Sequence, residues 1–222
     1  MPIKKSLWLP LIISLEITIV VLYAITALAN GGQSLPFLDV NGSRTLPSLL
    51  QAAQLFLLGI LPLCTCITYR NPKLPPSRSL LTCIAVFFLY ASVDELFKLS
   101  FLSSYHKLVQ LIYLSLGLAI PILFYRDFIH LYKFHPRAVR WVGLGLLSFV
   151  IGGFGLELFR SHVQEPHWYQ LFGRWEFYQV DAIRTALEEL GEMVGETLVL
   201  KGMVDLVQRR RVQSATFEIK RI

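Results

Sequence analysis

The sequence predicts an all-α protein, a polytopic membrane bundle of about six transmembrane helices with both termini in the cytoplasm. Two observations lead to this prediction. The mean hydropathy is +0.54, and only 16% of the residues are charged, whereas soluble domains carry roughly 25%. The chain also contains repeated apolar runs of about 20 residues, the length that crosses a hydrocarbon layer about 30 Å thick.

Six segments match this length, and they predict a single transmembrane bundle over residues 1–208 with a basic cytoplasmic tail over 209–222. The first apolar run follows Lys4 and Lys5 at full spanning length, so we interpret it as a retained helix rather than a cleaved signal peptide. Pro62 and Pro121 lie inside the second and fourth spans, where we expect kinks rather than breaks. The predicted spans are 7–29, 47–69, 79–103, 108–132, 139–160 and 179–207.

Lysine and arginine residues near the span ends set the orientation, because cytoplasmic loops carry the excess of positive charge. With the N-terminus inside, the outer side receives Arg44, Lys107, Arg160 and Arg174. The inner side receives a larger set, namely Lys4, Lys5, Arg70, Lys73, Arg78, Lys133, Arg137, Arg140, Arg209, Arg210, Arg211, Lys220 and Arg221. This bias requires an even number of crossings, which supports the sixth span.

The same placement accounts for the net charge of +6 without a nucleic-acid partner, because the basic residues lie in short loops and form no single face or stripe. His130, near the inner end of the fourth span, and His135, just after that span, fall in the basic inner region. There we expect solvated imidazoles.

The sixth span carries acids on one face. At about 100° per residue, Asp181, Glu188, Glu189, Glu192 and Glu196 fall within roughly a third of the helix circumference. Each acid at the bilayer centre costs on the order of 3 kcal/mol on insertion scales. A cation, a proton or a basic side chain must therefore compensate for them.

The face opposite the acids is suited to lipid or to neighbouring helices. Gly191 and Gly195, four residues apart, predict that another helix backbone approaches closely. The apolar face consists of Leu187, Leu190, Met193, Val194, Thr197 and Leu198.

Two other spans deliver charge to the same outer half of the membrane. The third span carries Asp94, Glu95 and Lys98 near its outer end, and the fifth carries Glu157 and Arg160. We therefore expect acids from three helices to meet at one level.

Three interpretations of this cluster are open. In the first, which we favour, it binds a divalent cation such as Mg²⁺, Ca²⁺ or Mn²⁺, with His106, His162 or His167 adding affinity for Zn²⁺ or iron. In the second, the acids share protons along a relay or transport path. The candidate metal ligands are Asp94, Glu95, Glu157, Glu188, Glu189, Glu192 and Glu196.

In the third interpretation, the acids belong to a structural network of ion pairs. Lys98, Arg160 and Arg184 are the candidate cations near the cluster. Glu16 lies by itself in the inner half of the first span, and by depth its candidate partner is Lys201.

Four short segments resemble an uncharacterised family of bacterial multi-pass membrane proteins. They are residues 39–48, the Ser-x-Asp-Glu motif at 92–95, Gly-Leu-Glu at 155–157 and Leu-Glu-Glu-x-x-Glu-Met-x-Gly at 187–195. The resemblance implies the six-helix plan and the same acidic positions, but no activity. That family has a His-Glu pair where this chain has Ser100 and Phe101, and losing a candidate histidine ligand weakens the metal interpretation.

The sequence leaves the class of function open. It contains no P-loop and no common dinucleotide, hydrolase or zinc-protease motif, so whether the protein is an enzyme is undecided. The favoured hypothesis is a carboxylate site for a divalent cation, which would suit an enzyme acting on lipid or quinone-like substrates. The alternatives are a non-catalytic subunit or assembly factor, and proton- or cation-coupled transport by an oligomer. The expected partners are the lipid bilayer of a bacterial membrane and other membrane subunits or further copies of the chain.

Overall fold

The computed structural model describes residues 7–68, 76–99, 106–156 and 166–219. Within these ranges all regular structure is helical and no strand occurs, which confirms the all-α prediction. A short 3₁₀ helix covers Pro36–Leu38, and a π-helix covers Val150–Gly155. The α-helices are α1 (Trp8–Ala29), α2 (Leu46–Thr68), α3 (Arg78–Phe97), α4 (His106–Leu123), α5 (Tyr125–Phe134), α6 (Pro136–Phe149) and α7 (Pro166–Ile219).

Three helices, α1, α2 and α3, are long and apolar enough to cross a membrane. Large apolar side chains cover their outward faces, and Leu11, Ile25, Ile67 and Val86 are each more than half exposed. Contiguous apolar surface of this kind suits lipid rather than water. The described part of the chain thus has the properties of a membrane protein.

The fourth predicted span, 108–132, consists of two helices. Phe124 separates α4 from α5 with φ −107° and ψ 25°, outside the helical region. Pro121, three residues earlier, has no backbone N–H and therefore removes a hydrogen bond from the last turn of α4. A helix boundary thus replaces the expected kink, whereas Pro62 remains inside a continuous α2.

The last two predicted spans also differ from the simple plan. Residues 139–149 of the fifth span belong to α6, and the chain then continues as the π-helix. The sixth predicted span lies within α7, which is 54 residues long. Residues 209–219 of the predicted tail are a continuation of this helix.

By its internal contacts the chain forms two compact units. The first unit comprises Met1–Gln51 and Leu144–Thr197, and the second comprises Ala52–Gly143 and Leu198–Ile222. Each unit is discontinuous in sequence, because α7 and the α2 and α6 helices contribute residues to both.

The core of the first unit lies between α1 and α7. Val20, Tyr23 and Ala27 of α1 are buried in one cluster with Ala182 and other α7 residues. Buried positions on α1 recur every three or four residues, from Glu16 to Ala27, as expected for one packed face of a helix. Because α1 is apolar on all sides, hydropathy does not identify this face, and the packing against α7 defines it.

The second unit is built around the α2 and α3 helices. Leu58 of α2 and Leu80, Leu81 and Ala85 of α3 are almost completely buried. The Ser92 hydroxyl of α3 donates a hydrogen bond of 2.7 Å to the carbonyl oxygen of Ala52 on α2. This bond links the two helices. It also gives the buried Ser92 hydroxyl a hydrogen-bond acceptor.

His135 lies at the corner between α5 and α6, and its side chain is only 2% exposed. Within the described residues its Nδ1 atom has no hydrogen-bond partner. Burial, and then the positive charges of Arg209 and Arg210, lower the pKa of His135 below its ordinary value. The expectation of a solvated imidazole is therefore wrong for His135, although His130 is exposed. Arg209 and Arg210, whose charges add to the effect of burial, lie some 70 positions further along the chain.

We expect His135 to make the protein sensitive to acid. Since its pKa is lower in the folded state, the unfolded chain takes up the proton first, and stability is lost as the pH falls below about 6.5. The melting temperature in mild detergent should fall between about pH 7 and pH 5, and His135→Gln should flatten this fall. The matched control is His130→Gln, which should retain the wild-type dependence. An unchanged fall in His135→Gln would contradict the assignment.

Candidate functional site

The acids of α7 divide into two groups by burial. Glu189 and Glu196 are 8% and 5% exposed, whereas Asp181, Glu188 and Glu192 are only partly buried. The acidic face is therefore not uniform, and its inner members lie in the protein core.

Glu16 of α1 is fully buried, with an exposed fraction of 0%. Its Oε1 atom accepts a hydrogen bond of 2.5 Å from the hydroxyl of Thr197 on α7. In the second unit, the ammonium group of Lys201 pairs with Asp205. The pairing of Glu16 with Lys201 therefore stays a prediction. Within the first unit, Glu16 has the Thr197 hydroxyl as a partner.

Gln51, at the beginning of α2, is the partner of Glu189. Its Nε2 atom donates to Glu189 Oε2 at 3.3 Å, and its side chain is buried. The Oε1 atom of Gln51 has no hydrogen-bond donor among the described residues. We call Glu16, Glu189 and Glu196, all in the first unit, the buried carboxyls.

Sequence reasoning missed both Thr197 and Gln51. Periodicity places Thr197 on the apolar face of the sixth span, and the charge pattern assigns no role to Gln51. A signal was present, because Gln51 and Gln54 lie three residues apart in an otherwise apolar run, and polar residues in a membrane helix usually face the protein interior.

Arg184 forms ion pairs with two partly buried acids of α7. Its Nε atom lies 2.9 Å from Asp181 Oδ1, and its Nη1 atom pairs with Glu188. The guanidinium group also donates to the Thr185 hydroxyl at 3.0 Å. The structural interpretation of the acids assigns such ion pairs to Arg184. The two acids lie about one helical turn before and one helical turn after it.

A polar cavity of about 480 Å³ opens beside this network. Asp181 and Thr185 of α7, Tyr23 of α1 and the loop residues Asp39 and Asn41 line it. The Asp39 carboxylate accepts the Asn41 backbone N–H at 3.1 Å, which fixes the turn that forms one wall. Tyr23 also belongs to the core of the unit, so the cavity reaches the α1–α7 contact.

Glycines bring the backbone of the fifth span against α7. A Cβ atom added to Gly191 would lie 2.7 Å from the Cα atom of Gly152, and one added to Gly195 would lie 2.8 Å from the carbonyl oxygen of Gly145. The Ser148 hydroxyl donates to the carbonyl oxygen of Gly191 at 3.0 Å. The predicted close approach at Gly191 and Gly195 is therefore confirmed.

Glu192 contacts the π-helix at Gly153, and π-helical turns are frequent at functional sites.

The acids of the third span lie in the second unit. Lys98 ends α3 in a left-handed conformation, with φ 47°, and its ammonium group lies 2.6 Å from Glu95 Oε1. Asp94 precedes Glu95 on the same helix. Glu157, Arg160 and His162 lie outside the described residues, as do the side chains of His106 and His167. The convergence of acids from three helices stays a prediction.

Among the described residues, no group of three or more His, Cys, Asp or Glu side chains is arranged to hold a metal ion. The divalent-cation interpretation therefore gains no support from the described geometry. What the first unit offers is carboxyl groups with hydroxyl and amide partners, an arrangement suited to holding protons.

Comparison with known proteins identifies one family. A family model described as a domain of unknown function (DUF8692) matches residues 11–206. No curated protein and no solved structure matches the chain. The matched range runs from the first helix into the last one and contains every acid discussed above.

Filling the contact between Gly191 and Gly152 should destabilise the fold. Gly191→Ala places a methyl group against backbone that must move, and overpacking of this kind costs about 1–3 kcal/mol. The matched control is Gly143→Ala, because a Cβ atom there meets nothing within 4 Å. We expect reversible unfolding in mixed micelles to show a clear loss of stability for Gly191→Ala and none for Gly143→Ala. Equal stability of both variants would contradict the close contact.

Proposed function

We propose that this chain, which belongs to the family described as a domain of unknown function (DUF8692), is a polytopic membrane protein that carries protons through its buried carboxyls. The observation that carries the proposal is the hydrogen bond between Glu16 and Thr197, two residues with no exposed surface. The proposal takes up the proton interpretation of the acidic face in preference to the divalent-cation interpretation.

The proposal also covers the number of membrane crossings and the side on which the termini lie. The chain crosses a bacterial membrane six times, with both termini in the cytoplasm. The distribution of lysine and arginine supports this orientation. Three helices that are each long and apolar enough to cross a membrane support the membrane location.

A hydroxyl partner suits a carboxyl group that changes its protonation state. The Thr197 hydroxyl donates to Glu16 when Glu16 is ionised, and can accept from it when it is protonated. A lysine or arginine partner offers donors only and favours a permanently ionised acid. In an apolar surrounding, an ionised carboxylate is also costly, whereas the neutral acid is much less so.

The order of the acids along α7 defines a direction. Asp181 lines the cavity, and Glu189 follows it by eight residues, or about 12 Å along the helix axis. Glu196 follows Glu189 by seven residues, about two turns, and therefore lies on nearly the same side. Thr197 is next, and it contacts Glu16.

These separations exceed a hydrogen bond, so ordered water molecules must bridge them. A buried water needs two to four polar partners. The Oε1 atom of Gln51, beside Glu189, is an acceptor that can hold one. The Arg184 ion pairs hold the outer acids of α7 in place, and in this scheme they position the entrance of the path.

The same ion pairs favour a second candidate function. If the acids of α7 serve only to hold helices together, the protein is a non-catalytic subunit or assembly factor. The Arg184 network is of that structural type. A stable complex with another membrane subunit, combined with no proton movement, would favour this candidate.

Proton flux into liposomes tests the proposal. Wild-type protein would be reconstituted with a pH-sensitive dye inside the vesicles, and flux would be driven by a potassium-diffusion potential. We expect Glu16→Gln and Glu196→Gln each to slow the flux at least about tenfold, since each removes a group that accepts the proton. Asp205→Asn is the matched control, because Asp205 lies on the same helix but pairs with Lys201. It should retain the wild-type rate.

Two outcomes would overturn the proposal. One is a wild-type flux no greater than that of empty liposomes. The other is an equal loss of flux in the Asp205 control. Elemental analysis of the same preparations addresses the divalent-cation interpretation, because a stoichiometric metal that Glu196→Gln removes would make the acids ligands instead.

A further inference from the structure

The second unit, which contains none of the buried carboxyls, holds a separate cluster of basic residues. It comprises His135 at the α5–α6 corner and Arg209 and Arg210 near the end of α7, and we call these three residues the basic corner. Arg210 is buried, and its Nη2 atom donates to the carbonyl oxygen of Pro76 at 2.8 Å. This bond fixes the end of α7 against the segment that begins α3.

His135 has unused hydrogen-bonding capacity at this corner. Its side chain is 2% exposed, and its Nδ1 atom has no hydrogen-bond partner among the described residues. Leaving a buried polar atom unsatisfied destabilises the folded protein. Buried polar atoms without a protein partner call for an explanation, such as a ligand that the protein alone does not supply.

The charges around the imidazole identify the class of ligand. Arg209 and Arg210 both lie close enough to His135 for their positive charges to lower its pKa. A neutral imidazole with its proton on Nδ1 donates one hydrogen bond, and arginine offers donors in a planar fork. Such a set of donors fits the oxygen atoms of a phosphate group.

The neighbouring helix indicates where the phosphate comes from. α5 leads directly into His135, and its Tyr125, Ile129, Tyr132 and Phe134 side chains are each at least half exposed. An amphipathic helix with exposed aromatic and aliphatic residues and basic neighbours is typical of the boundary between lipid headgroups and acyl chains. Lys133 and Arg137, on either side of the corner, are exposed as well.

We infer that the basic corner binds the phosphate of an anionic lipid headgroup, with His135 and Arg209 as its donors and Arg210 holding the site together. The acyl chains of that lipid lie along the exposed face of α5. Basic pockets between helices are a known means of binding anionic lipids. This inference does not depend on proton movement through the first unit.

Native mass spectrometry of the full-length protein in mild detergent tests the inference. The probes are phosphatidylglycerol, phosphatidylcholine and inorganic phosphate, each titrated against the wild type, Arg209→Gln and Arg140→Gln. Both arginines are exposed, so neither change should disturb folding, and Arg140 on α6 is the matched control. We expect the wild type to prefer phosphatidylglycerol, and Arg209→Gln to weaken that binding about fivefold while Arg140→Gln does not.

A second readout follows from His135 itself. A bound phosphate offsets the repulsion between a protonated imidazole and the two arginines. Phosphatidylglycerol should therefore reduce the loss of melting temperature on acidification in the wild type, but have no such effect in His135→Gln.

Three results would overturn the inference. Equal binding of the two lipids would remove the anion preference. An equal loss in Arg140→Gln would indicate diffuse charge rather than a site. Inorganic phosphate that binds well and leaves no preference between lipids would assign the corner to a soluble phosphate.

Discussion

The hydrogen bond between Glu16 and Thr197 is the constraint on which the first unit depends. A carboxyl group with no exposed surface needs a partner within the protein, and the hydroxyl at 2.5 Å supplies it. To make this contact, α1 and α7 run antiparallel, with Tyr23 and Ala27 packed near Ala182 at the other end of the cluster. The apolar surface of α1 that remains outside this contact is exposed and suits contact with lipid.

The rest of the acidic face is arranged by depth. Beside the cavity, Arg184 pairs with Asp181 and Glu188. Glu189, which is more deeply buried, accepts a hydrogen bond from the Gln51 amide. On another side of α7, glycines allow the fifth span to approach to backbone contact. One helix thus combines ion-paired acids, buried acids with hydroxyl and amide partners, and a tightly packed face.

Composition and periodicity predict the all-α class and the positions of the acids on α7, because hydropathy and helical spacing depend on the sequence alone. The small residues Gly191 and Gly195 also predicted a close helix approach. Thr197 lies only about 100° from Glu196, and periodicity gives an angle on a helix but not the neighbour at that angle, so it does not predict the contact of Thr197 with Glu16. The sequence does not show that His135 is buried or that the distant Arg209 and Arg210 act on its pKa. A proline predicts disruption of a helix without distinguishing a kink from the boundary found at Phe124.

Infrared difference spectroscopy of the carboxyl stretch tests the central claim most directly, because the C=O band of a protonated acid is separate from the bands of an ionised one. If the buried carboxyls hold protons, the wild-type protein should show a protonated-carboxyl band near pH 7, where an exposed Glu is fully ionised. Glu16→Gln should remove part of this band, and Asp205→Asn should leave it unchanged. A wild-type spectrum without this band near pH 7 would mean that the acids are ionised and held by cations, which contradicts the account.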